Sequence, residues 1–166
     1  MGWDAFEVKI NVDDLTKSVR GFPVLSIDVA APEEISAGSV SRISVGSHFV
    51  YAYTLARIVG EKLRAFLSSL PAYRAKAKKP GESVRARDLY DLANVRRTND
   101  LTDATFWTSS GEEFRNACKS RSIDCASLET FQEDWEVTKE TYAEAAIPKD
   151  IPFEEAEATL VDVGEY

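Results

Sequence analysis

The sequence predicts an α+β fold, a small antiparallel or mixed sheet followed by a helical body. Three observations lead there. Apolar residues alternate near the start, recur at helical spacing from about residue 50 onward, and never run long enough to cross a membrane. At 166 residues one domain with a real hydrophobic core is the default. The start, "MGWDAFEVKI", has no basic stretch leading into an apolar core, so no leader is predicted. A soluble, cytoplasmic protein is expected, with no membrane role.

Each element has its own signal. In "AFEVKINV" Phe6, Val8, Ile10 and Val12 share one side, the period of a strand. "DDLTKSVRG" turns the chain. "FPVLSIDVA" is a second strand, with Leu25, Ile27 and Val29 alternating against Val24 and Ser26, and the two strands read as antiparallel neighbours. "GSVSRISVGSH" is a third short extended segment. A long helix is expected over roughly 50–68, where Leu55, Ile58, Val59, Leu63, Phe66 and Leu67 recur at helical spacing. A polar loop over about 69–83 leads to the helix "RARDLYDLANVRR". Further on, "SSGEEFRNACKSR" opens with a serine cap and an acidic first turn. "SLETFQEDWEVTKETYAEAA" places Leu128, Phe131, Trp135, Thr138 and Tyr142 on one stripe. Pro152 marks the start of a last helix, "PFEEAEATLVDV". No repeat or low-complexity stretch interrupts this order.

The net charge of −8 is unevenly spread: −3 over residues 1–56, +7 over 57–97 and −12 over 98–166. A nucleic-acid binder along the whole chain is not expected from that balance, while a local anion site in the middle third stays open. Charge alone favours a solvated loop for "YRAKAKKPGESVRAR", which carries a Pro-Gly turn signal. Cys118 and Cys125 flank "KSRSID" and read as unpaired thiols. With one histidine, His48, a zinc site is not expected.

Three residue sets break the apolar pattern. Lys62 falls in the middle of the stripe of its helix, four residues after Ile58 and four before Phe66. A lysine there must snorkel, pair with a carboxylate or hold an anionic ligand. Asp88 and Asp91, three apart, share a face beside Leu89, Leu92 and Val95. The helix dipole accounts for Asp88 but weakens for Asp91. Lys62, one helix earlier, is the candidate partner, as a structural pair or as the wall of an active site. Asp28 ends the run "VLSID", where a strand can deliver a carboxylate to a cleft.

In order, these features resemble the AbiEii family of nucleotidyltransferase-like toxins, the toxin side of type IV toxin–antitoxin and abortive-infection systems. The resemblance rests on Glu61, Lys62, Leu63 and Ala65, then Arg87, Asp88, Asp91 and Leu92. It spans roughly residues 22–97, and it looks like the latter portion of such a protein. It implies a partial nucleotidyltransferase-like core over residues 1–97 and a helical C-terminal region over 98–166. The implied activity is transfer of a nucleotide from an NTP to tRNA or protein, with Mg²⁺. By resemblance Lys62 contacts the triphosphate with Arg87 alongside. Asp88 or Asp91 orients it or assists proton transfer, and Asp28 is a metal carboxylate. An antitoxin, or a partner chain supplying an N-terminal half, is the implied protein partner. The family's Asp-x-Asp metal pair is found nowhere in the sequence, and Asp13-Asp14 is adjacent rather than spaced, so its side chains point to opposite faces of a strand. Two other readings therefore stand beside the enzyme: a non-catalytic relative that binds a protein or a nucleotide, and an unrelated α+β protein with a buried ion pair.

Overall fold

A computed structural model describes residues 6–10, 24–29, 35–74, 83–121, 123–124 and 128–164. The chain divides into two compact units, Met1–Ile35 and Ser36–Tyr166. In the first, β1 (Phe6–Ile10) pairs antiparallel with β2 (Leu25–Val29), setting Phe6 opposite Val29 and Glu7 opposite Asp28. The expected antiparallel pair is thus present. The connecting "DDLTKSVRG", with Asp13 and Asp14, lies outside the described residues.

The second unit begins with a short 3-10 turn, Ala37–Ser39, and a hairpin of β3 (Val40–Val45) and β4 (His48–Tyr53). Val45 faces His48, so Gly46 and Ser47 form a two-residue turn. Gly46 has φ 60°, a conformation that glycine adopts without steric cost and that hairpin turns of this length require.

Six helices follow among the longer elements. They are α1 (Leu55–Ser69), α3 (Ala86–Thr98), α4 (Ala104–Ser120), α5 (Leu128–Glu133), α6 (Trp135–Glu144) and α7 (Phe153–Gly164), with the single turn α2 (Pro71–Arg74) after α1. Thr54 starts α1, its hydroxyl accepting from the Arg57 N–H at 3.3 Å, and Pro71 follows its end. The expected helix at 50–68 therefore begins later: residues 50–53 belong to β4. The expected serine cap of the next long helix also moves. α4 starts at Asp103, whose carboxylate accepts from Phe106 N–H at 3.0 Å, and Ser110 lies buried within it, donating to the Phe106 carbonyl. The single stripe expected over 127–146 is two helices broken at Asp134, whose carboxylate accepts from the Ala72 N–H at 2.8 Å.

The core lies between these helices. α1 packs on α3 and α4, and α3 on α7. Val59, Phe66, Leu70, Leu89, Leu92, Trp107, Phe131, Ile151 and Leu160 are among the side chains that fill it. At roughly 1.5–3 kcal/mol for each large apolar side chain withdrawn from water, this layer dominates the stability of the second unit. No helix among the described residues is long and apolar enough to cross a membrane.

Candidate functional site

α1 and α3 pack side by side with Lys62 on one and Asp88 and Asp91 on the other. The Lys62 ammonium donates to Asp88 Oδ1 at 3.2 Å and to Asp91 Oδ2 at 2.6 Å. The pairing expected from spacing is therefore the geometry observed. The lysine keeps 28% of its side-chain exposure, Asp88 6% and Asp91 34%. Asp88 is the buried anchor, and Asp91 stands at the rim.

Burial opposes the Lys62 charge, but its hydrogen bond to Asp91 and the charge of Asp88 outweigh it, so the ammonium titrates above its ordinary value of 10.5. The lysine is therefore a fixed cation, not a base, at neutral pH. Asp88 also accepts from Arg85 Nε through its other oxygen. Arg85, just before α3, is tied to α1 by its own backbone, whose N–H donates to Ser69 Oγ at 2.9 Å.

Arg87, the residue before Asp88 on α3, is exposed and has no ion pair or hydrogen bond among the described residues. Together with Arg85 and Asp88 it lines a cleft of about 390 Å³ whose other wall is Thr141, Ala145 and Ile147. Of the polar loop expected over about 69–83, residues 71–74 form α2 instead, and residues 75–82, like Cys125, lie outside the described residues. Asp28 lies in β2 opposite Glu7, in the other compact unit. The structure thus brings together Lys62, Asp88 and Asp91, and sets Arg87 beside Asp88.

A second polar cluster was not anticipated from the sequence. Arg57, fully buried on α1, donates to Glu113 Oε2 on α4 at 3.0 Å and to Glu61 Oε1 at 2.7 Å. Ser39 donates to Glu113 Oε1 at 2.5 Å. Arg64 and Arg121 complete the ring around Glu61, at 2.8 and 3.5 Å. This network joins the 3-10 turn, α1 and α4. Its one local signal is Gly60, a glycine inside a helix, where α4 crosses so closely that an added Cβ would lie 2.5 Å from the Phe114 nitrogen.

A paired lysine and two carboxylates of unequal exposure can neutralise a phosphate with the lysine and leave one carboxylate to orient a group or take a proton. Residues 8–159 match the family described as "Nucleotidyl transferase AbiEii toxin, Type IV TA system". The match extends well beyond residues 22–97, which carry the recognisable motifs, and takes in α4 to α6 and the first part of α7. No curated protein and no solved structure matches the chain.

Proposed function

The chain belongs to the AbiEii family of nucleotidyl transferase toxins of type IV toxin–antitoxin systems, and on that premise we propose that it transfers a nucleotide from an NTP to a tRNA or protein acceptor. The observation that carries the proposal is the Lys62 ammonium held between Asp88 and Asp91 at the edge of the core. In this reading residues 1–97 form the nucleotidyltransferase-like part and 98–166 the helical C-terminal region.

Transfer requires an acceptor hydroxyl to attack the α-phosphorus. The bond from that phosphorus to the bridging oxygen breaks, pyrophosphate leaves, and the hydroxyl proton passes to a base. Charge grows on the leaving phosphates, so a fixed cation there lowers the barrier. Lys62 takes that role, and Arg87, exposed and uncommitted among the described residues, supports the nucleotide from the same helix start. Asp91, the more exposed carboxylate, is the better placed to accept the proton. Asp88 holds the lysine.

Magnesium is the metal the family implies. Among the described residues no group of three His, Cys, Asp or Glu side chains is placed to hold an ion, and Asp88 and Asp91 are already bonded to cations. These residues do not make a metal centre, and the assignment of Asp28 to a metal rests on the family resemblance alone. That same observation, with the missing Asp-x-Asp, favours a second reading: a non-catalytic relative that binds a nucleotide or a protein through the Lys62 cluster. An antitoxin is the protein partner implied by the family, and the cytoplasm is the proposed setting.

The test is label transfer. Purified protein is mixed with each α-labelled NTP, Mg²⁺ or Mn²⁺, and RNA or protein acceptors. Transfer that disappears in Lys62→Ala supports the enzyme. Nucleotide binding without transfer supports the second reading. A folded protein that does neither overturns the enzyme and the nucleotide-binding form of the second reading.

A further inference from the structure

Each oxygen of Asp88 is held by a different cation, Oδ1 by Lys62 and Oδ2 by Arg85. The two cations are unlike in setting. Lys62 is mostly covered, whereas the Arg85 side chain is 59% exposed and borders the cleft. Arg85 is nevertheless fixed in place. Its backbone N–H bonds to Ser69, and buried Ser69 in turn donates to the Phe66 carbonyl at 2.6 Å. The residue is anchored to the helix that carries Lys62 as well as to its own.

This arrangement decides how tightly Lys62 is bound. A nearly buried carboxylate must be neutralised by whatever cations reach it. With Arg85 on Oδ2, Asp88 holds the lysine through one contact of 3.2 Å, longer than the 2.6 Å contact to Asp91. Without Arg85 the whole charge of Asp88 would fall to Lys62, and both oxygens would compete for it. Asp91, by contrast, is open to water and can release the ammonium when another anion arrives.

We propose that Arg85 is a positioning residue for Lys62: by occupying one oxygen of Asp88 it loosens that carboxylate's hold, so that the ammonium can pass from Asp91 to a phosphate entering from solvent. The phosphate's identity as part of a nucleotide rests on the function proposed above. The state of Lys62 without ligand does not.

The test separates the two. The full chain is compared with Arg85→Ala, Arg85→Lys and the double variant Arg85→Ala/Asp88→Asn. The rate at which Lys62 is acylated by an N-hydroxysuccinimide ester is followed by peptide mass spectrometry, since only the free amine reacts. Arg85→Ala is expected to slow acylation of Lys62 several-fold, because a tighter ion pair keeps the amine protonated. Arg85→Lys should stay near the parent rate, and the double variant should recover it. In parallel, NTP affinity should fall roughly tenfold in Arg85→Ala and stay near the parent value in Arg85→Lys. An arginine that merely supports the start of α3 would lower stability without this rescue. Acylation unchanged or faster in a folded Arg85→Ala would overturn the proposal, and Arg85→Gln replaces it if the alanine variant does not fold. Acylation that behaves as expected in a protein that binds no NTP would sink the nucleotide reading and leave the role of Arg85 standing.

Discussion

Glu113 and Gly60 show how single residues set the crossing of α1 over α4. Glu113 is 5% exposed and accepts from Arg57 and Ser39, both fully buried. Removing the carboxylate breaks a buried pair while leaving the guanidinium its bond to Glu61, and breaking a buried pair by removing one partner typically costs about 3–5 kcal/mol. Glu113→Ala is therefore expected to lose that much in urea denaturation, and a loss under 1 kcal/mol would show that the pair is not what holds the helices together. Gly60→Ala should also destabilise, by roughly 1–3 kcal/mol, because the new methyl group meets backbone of Glu113 and Phe114 rather than a flexible side chain. These two residues mark the limit of what could be read in advance. Lys62, Asp88 and Asp91 were legible because each violates a local apolar period, and a violation points to a partner. Arg57 and Glu113 lie 56 residues apart, and each looks ordinary among its neighbours. Only the fold shows that they meet.

For elements the same division holds between local and distant causes. The order of strands and helices was legible, as was the partnership of α1 with α3, because period and short connections express themselves locally. Their ends were not. "FVYAY" joins "TLARIV" without a polar break, so β4 merges with α1 in any reading by hydropathy. What separates them is Thr54, whose backbone N–H donates to the Ser39 carbonyl at 2.9 Å while its hydroxyl accepts from Arg57. The start of α4 was misplaced for a similar reason. Ser109 and Ser110 look like caps, but Asp103 takes that position six residues earlier. Replacing the capping side chain typically costs about 1 kcal/mol. Asp103→Ala should lower the urea midpoint accordingly. Equal stability of Asp103→Ala and the parent would argue that α4 begins later than the structure shows. The β3–β4 hairpin makes the opposite case. Tyr51 is 77% exposed and Phe49 is likewise open, so Tyr51→Ser should change stability by no more than about 0.5 kcal/mol.

Across the whole molecule, the separation of charge appears as a dependence of stability on pH. On the acid side, the Arg97 guanidinium bonded to Glu155 holds that carboxyl below its ordinary 4.5. A bond from its own backbone N–H does the same for Glu154, and a bond from the Thr102 N–H lowers Asp100 below its ordinary 3.8. Groups depressed in this way add stability above their ordinary values and lose it as the pH falls. All three are solvent-exposed, so the effect is shallow. On the alkaline side the signs reverse. Burial pushes the Tyr142 phenol up from 10.0 to about 12. Lys62 is raised above 10.5 because its bond to Asp91 and the charge of Asp88 overcome its own burial. Both groups are protonated when folded at a pH where the unfolded chain has begun to release its protons. Their stability is fully present below pH 10.0 for the tyrosine and 10.5 for the lysine, and is lost as the pH rises through the higher folded values. The urea midpoint should therefore fall on both sides of a neutral plateau, gently in acid and more steeply above pH 10. Tyr142→Phe should flatten the decline between pH 10 and 12, and Lys62→Met should flatten the part above 10.5. If both variants keep the parent's alkaline slope, the decline has another source. The Lys62 cluster would then contribute less to folding than its geometry indicates, leaving its carboxylates and its ammonium freer to serve a ligand.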